Sequence, residues 1–128
     1  MARTAIQPPG MPDPRPRYTH GWRVNDTIYV AGQLATDAQG QLVGPNDIRA
    51  QTRQAFQNIA RVLEAAGASL RDVVKLTVFI TDMRLREGYH EARQEFFPAD
   101  PPASTLVQVV ALAQPGALIE IEAVAVVA

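Results

Sequence analysis

Residues 118–127, Leu-Ile-Glu-Ile-Glu-Ala-Val-Ala-Val-Val, organise the reading of this chain. The run is apolar except for Glu120 and Glu122. Side chains two apart on a strand share a face, so both carboxylates stand on the face that also carries Val124 and Val126. Acids beside aliphatic side chains are costly to bury without partners. The pattern suits a cleft or a subunit junction. It equally suits a solvated edge face with two surface acids, and the strand alone leaves both open.

Working outward, Gln114-Pro-Gly116 is a turn and Ser104–Val110 a preceding strand. Val73–Ile80 is rich in β-branched residues and predicts another strand. Between these strands, Leu85, Tyr89, Ala92 and Phe96 repeat at helical spacing, with Asp82 as the cap and Pro98 as the stop. A longer stripe of Ile48, Thr52, Ala55, Phe56, Ile59, Val62, Leu63 and Ala66 predicts a helix capped by Asn46 or Asp47 and ended by Gly67. Gln51, Arg53, Asn58, Arg61 and Glu64 are expected mostly on its wet side. Trp22–Val24 and Thr27–Val30 flank Asn25-Asp26, a dipeptide suited to a two-residue hairpin turn, and Gly40 marks a second turn. Prolines at 8, 9, 12, 14 and 16 make residues 1–17 an extended arm, lying on the surface or on a neighbour, ahead of a domain at 18–128.

The expected order is β-β-α-β-α-β-β, a single α+β domain with a mixed sheet and both helices on one face. The other face lacks a helical cover, and its aliphatic side chains need a partner surface. Self-association is the simplest one.

Composition narrows the function. At 128 residues the chain suits one domain that buries roughly two thirds of its unfolded surface. A net charge of -1 gives no general attraction for nucleic acid or an anionic membrane. The absence of cysteine removes disulfides, thiolate metal sites and a cysteine nucleophile. No signal-like core precedes Arg17 and no stretch has membrane-spanning length, so a cytoplasmic location is expected. No glycine-rich phosphate loop is present, and His20 and His90 lie on distant elements, so neither a cofactor nor a metal is expected.

Several segments carry a resemblance from one end of the chain to the other. They are Tyr18, Val30-Ala-Gly-Gln33, Gln51–Asn58, Ala65–Ser69, Asp72–Ile80, Glu95-Phe-Phe97, Pro102-Ala103 and Ile119–Ala123. In order and spacing the chain resembles the Rid (YjgF) family of reactive-intermediate deaminases over about residues 15 to 128. The resemblance implies a chorismate mutase-like, YjgF-type homotrimer with clefts between subunits and a small-molecule substrate. It implies that Glu120 positions or activates water for attack on an imine carbon, and that Tyr18 lies near the cleft. Some relatives carry an endoribonuclease label, which nothing else in the chain supports.

Each candidate has a structural alternative. Glu120 in a partly dry cleft would have a raised pKa and accept a proton near neutrality, or it is an acid tied to backbone amides. Glu122 is a second cleft acid or a solvated one. The Tyr18 phenol donates to a substrate or packs on a neighbouring subunit. His20 shares strand alternation with Tyr18 and is a candidate base. Gly32 and Gln33 line a pocket or simply end a strand. Ser104 stands where the deaminases of the family carry an arginine that grips a carboxylate with two parallel hydrogen bonds. Serine offers one hydroxyl and no charge, so carboxylate-bearing imines are expected to be poor substrates unless Arg23 or Lys75 supplies the contact. The leading expectation is a hydrolytic deaminase of small imines or enamines. A non-catalytic ligand-binding trimer, or another hydrolase or isomerase on the same scaffold, stands beside it.

Overall fold

The hairpin at Asn25-Asp26 forms because Asn25 adopts φ 54°, a left-handed conformation that asparagine tolerates. It joins β2 (Gly21–Val24) to β3 (Thr27–Gln33). The computed structural model describes residues 2–128, so Met1 of the expected arm lies outside the described residues. One strand was not anticipated: Arg3–Ile6 forms β1, antiparallel to β2. The element order is therefore β-β-β-α-β-α-β-β, with six strands in one sheet rather than five. The Arg3 guanidinium lies 4.4 Å from the centre of the Trp22 ring, a cation–π contact that seats this short edge strand.

After β3 come α1 (Ile48–Ala65), β4 (Val73–Ile80), α2 (Arg86–Phe96), β5 (Ala103–Gln108) and β6 (Ile119–Val126). Asp47 caps α1 by accepting from the Ala50 amide, and Gly67 follows its end at φ +81°. Strand order is β1-β2-β3-β6-β4-β5. The last strand of the chain thus sits between β3 and β4, antiparallel to both, while β4 and β5 run parallel across the α2 crossover.

Both helices pack on one face. There Ile28, Val30, Leu76, Val78, Ile80, Ile119 and Ile121 meet Phe56, Ile59, Val62, Leu63 and Tyr89. Phe56 is the hub, with its ring 5.2 Å from Phe96, 5.5 Å from Phe97 and 6.4 Å from Tyr89. Two polar residues expected on the wet side of α1 are buried instead. Gln51 donates to the Gly44 and Gly116 carbonyls and accepts from the Leu118 amide; Asn58 donates to the Leu34 and Thr36 carbonyls. Each satisfies loop backbone groups that no strand pairs, which is why an amide side chain is stable there.

The opposite face carries Tyr29, Lys75, Thr77, Phe79, Glu120, Glu122, Val124 and Val126, with no element over it. Tyr29 is 52%, Val126 43% and Val107, on β5, 39% exposed. Among the described residues no helix is long and apolar enough to cross a membrane.

Candidate active site

A bulge in β3 creates the site. Val30 pairs with Ala123 and Gln33 with Ile121, so three steps along β3 face two along β6. The extra residue falls at Ala31-Gly32 and bends the strand away from its partner, as bulges do beside many active sites. Glu120 occupies the space this opens. A Cβ built on Gly32 would lie 2.8 Å from the Glu120 carboxyl carbon, closer than real side chains come. A side chain at position 32 would have to push the Glu120 carboxylate aside, so the glycine leaves the acid its place.

Glu120 is half-buried and is one wall residue of a cleft of about 890 Å3. On its other side, β4 places Phe79 directly opposite it in the ladder, and both residues line the cleft. Burial raises the Glu120 carboxyl above its ordinary pKa of 4.5, and the nearby Glu122 charge adds to the effect. Glu122 lies two residues along the same face and also reaches the cleft. The carboxylate pair read from the sequence is thus a shared feature of one wall.

The arm forms the opposite wall. Residues from Met11 to Tyr18 line the cleft. Two contacts from the folded body hold them. Arg61 on α1 donates to the Pro9 carbonyl at 2.9 Å, and His20 Nε2 lies 2.8 Å from the Pro12 carbonyl oxygen. A carbonyl only accepts, so Nε2 carries the proton. The other ring nitrogen of His20, Nδ1, then accepts from the Gln33 amide at 3.3 Å, and Gln33 also donates to the Ala31 carbonyl at 3.1 Å. Both nitrogens of the buried His20 ring are therefore engaged, and the ring ties the arm to the bulge. Tyr18 projects beside it, its ring edge-to-face with His20 at 6.2 Å between centroids, and it is half-exposed at the cleft.

Five of the six singled-out side chains, Glu120, Tyr18, His20, Gly32 and Gln33, meet in this cleft. Ser104 does not. It lies exposed on the edge strand β5, opposite Leu76, on the helix-bearing side of the sheet. Its neighbour there is Tyr89, whose phenol burial pushes up in pKa against the opposing influences of Arg93 and the Ser104 hydroxyl. The Tyr89 hydroxyl makes no hydrogen bond of good geometry. Neither basic candidate reaches the cleft. Arg23 is spent on the Asn25 and Ala66 carbonyls at the end of α1, and Lys75 donates to Thr105 at 2.6 Å on the open sheet face. Phe79, Asn58 and the arm arginines were not foreseen as wall residues. Strand alternation pairs Phe79 with Glu122 or Glu120 only once the ladder register is known.

The Endoribonuclease L-PSP family model matches residues 10–127. Solved structures of similar proteins cover nearly the whole chain. A Rid-family protein of unknown function from Yersinia pestis is 34% identical with a TM-score of 0.91, over 98% of this chain and 100% of its own. RidA from an Antarctic Psychrobacter is also 34% identical, with a TM-score of 0.89 over 97% and 99%. TdcF of E. coli, solved with bound serine, is 30% identical with a TM-score of 0.89 over 98% and 99%.

Proposed function

The chain belongs to the Rid family, the family of the endoribonuclease L-PSP model, and from that premise we propose that it hydrolyses small imines or enamines to carbonyl compounds and ammonia. The observation that carries this reading is the placement of Glu120. It is a half-buried carboxylate with a raised pKa, set on β6 against the β3 bulge and facing a cleft large enough for a small metabolite. A carboxylate raised toward neutrality is suited to take a proton from water and return it.

The steps balance without a further reactant. Glu120 accepts a proton from water as the oxygen bonds to the carbon of the protonated imine, giving a neutral carbinolamine. Glu120 returns that proton to nitrogen. The C–N bond breaks and ammonia leaves while the hydroxyl proton passes to Glu120 as the carbonyl forms, and Glu120 then gives it up to the departing ammonia. Tyr18, across the cleft, donates a hydrogen bond that orients the substrate. The substrate carbon is already electrophilic, so the task is positioning and proton transfer. The cleft sets four acids, Asp13, Asp37, Glu120 and Glu122, against three arginines, Arg15, Arg17 and Arg61, so it offers no strongly positive surface for a polyanionic RNA substrate.

The open sheet face supports assembly as a trimer. Tyr29, Val107, Val124 and Val126 form an apolar surface that a second copy of the chain would cover.

The second reading is a binding trimer without catalysis. It is favoured by Ser104, which supplies no charge where the family's deaminases place arginine, and by the serine bound to TdcF. The discriminating experiment is ammonia release from imines generated in situ from neutral and acidic amino acids. Release above the buffer rate supports the hydrolase. Tight binding of a small amino acid with no acceleration for any imine would establish the binder instead.

A further inference from the structure

Arg15, Arg23, Arg61 and Lys75 each have a defined partner, and Arg17 does not. Arg15 is bound by Asp13, with Nε 2.8 Å from Oδ1, and this hydrogen bond holds the Asp13 carboxyl down at about 2. Arg61 is committed to Pro9, Arg23 to Asn25 and Ala66, and Lys75 to Thr105. Arg17 also lines the cleft, next to Tyr18. No carboxylate among the described residues comes within 4.0 Å of its guanidinium, and its side chain makes no hydrogen bond.

Its backbone is well defined. The Arg17 amide donates to the Pro14 carbonyl at 3.1 Å, closing a turn that contains Pro14 and Pro16. Proline restricts the chain before folding, so the turn costs little entropy to hold. The two tethers to Pro9 and Pro12 fix this turn against the cleft. A charged, forked donor is thus presented on a rigid segment and left unpaired in a cleft that also holds Glu120. A guanidinium uses such geometry to bind a carboxylate through two parallel hydrogen bonds.

We propose that Arg17 is the specificity-determining residue of the cleft, gripping a carboxylate of the substrate in place of the charge that Ser104 lacks. The inference rests on the hydrolase reading for the identity of the substrate but not for the contact itself. It reverses the expectation that carboxylate-bearing imines are poor substrates. The arm, not the edge strand, supplies the anion contact in this chain. Glu120 stays available because Arg17 is not paired with it.

The test separates binding from turnover. Pyruvate, a carboxylate that cannot release ammonia, is titrated into the wild type, Arg17→Gln, Arg17→Lys and the control Arg71→Gln, and binding is followed by calorimetry. Arg71 is remote from the cleft. Arg17→Gln is expected to weaken pyruvate about ten- to a hundredfold, the range for a lost charge-assisted contact. Arg17→Lys should recover part of the affinity and Arg71→Gln should match the wild type. The companion assay compares 2-aminoacrylate with its carboxamide analogue. Arg17→Gln should raise KM for the first by a clearly larger factor than for the second. Equal pyruvate affinity in wild type and Arg17→Gln, no pyruvate binding in the wild type, or equal losses on both substrates would overturn the proposal. Arg17-dependent pyruvate binding without turnover of any imine would keep the proposal and refute the hydrolase. Turnover that is indifferent to Arg17 would do the reverse.

Discussion

The two faces of one strand behave as different materials. Along β6, Ile119, Ile121, Ala123 and Ala125 are buried under the helices, while Glu120, Glu122, Val124 and Val126 alternate with them on the uncovered side. The covered face is apolar, close-packed and complete within one chain. The open face keeps an acid in partial burial, leaves aliphatic groups exposed and borrows a wall from the arm. The same backbone therefore separates the packed core from the candidate site by parity of position. A core residue contributes by excluding water from its neighbours, whereas Glu120 is held where its charge is unfavourable, the feature on which the proposed chemistry rests.

The sharpest way to break this division is Phe56→Ala. It removes the ring at the centre of the aromatic cluster and should cost about 3–5 kcal/mol in chemical denaturation. Any catalysis per folded molecule should be unchanged. A proportionate loss of activity in the folded fraction would show that the faces are not separable.

Next in size is Gln51→Leu, which probes a polar residue on the covered side. Its loss orphans the Gly44 and Gly116 carbonyls and the Leu118 amide, at about 1–3 kcal/mol for each group that stays dry. A drop of ~3 kcal/mol in denaturant unfolding is expected. A neutral outcome would mean that water replaces the amide at the base of β6.

Gly32→Ala should act on the open face. The new methyl must displace the Glu120 carboxylate, so ammonia release should fall, by up to about a hundredfold if the carboxylate moves by about 1 Å. Unfolding should change much less than for Phe56→Ala. Full activity in Gly32→Ala would show that Glu120 is free to move within the cleft.

A smaller effect follows from the raised Glu120 pKa. The folded chain keeps this proton to higher pH than the unfolded chain. Above 4.5 the unfolded state therefore binds fewer protons, and stability declines as pH rises through the folded value. Glu120→Gln should accordingly match the wild type below 4.5 and be the more stable protein at neutral pH, by thermal melting. The smallest effect belongs to Arg53→Ala. Its bidentate pair with Glu95 joins α1 to α2 on an exposed surface, so its loss should leave the melt within experimental error.

Local signals were sufficient for most elements. Asp47, Gly67 and the apolar stripe between them define α1, and Asn25 defines the hairpin. Alternation was enough to put Glu120 and Glu122 on one face. Non-local contacts were not readable in this way. Arg3–Ile6 has only four residues and becomes a strand through β2 and Trp22. Gln51 and Asn58 belong to a residue type that is mostly exposed, and their burial depends on loops far away in sequence. The proline-rich arm was legible as extended chain, but its docking on His20 and Arg61 was not. Ser104 was singled out by its place in a motif; which face of the sheet it occupies depends on strand register.

The central claim is that Glu120 is held at a cost to folding because it moves a proton. The direct measurement is ammonia release by wild type and Glu120→Gln across pH, with thermal melts of both on the same preparations. The account predicts a loss of about 10²–10⁴ in rate for the amide. It also predicts a wild-type rate that falls on acidification well before an ordinary carboxylate would titrate, and a higher melting temperature for the variant at neutral pH. Activity in Glu120→Gln within about threefold of wild type, far short of that range, would contradict it and make Glu120 a structural acid.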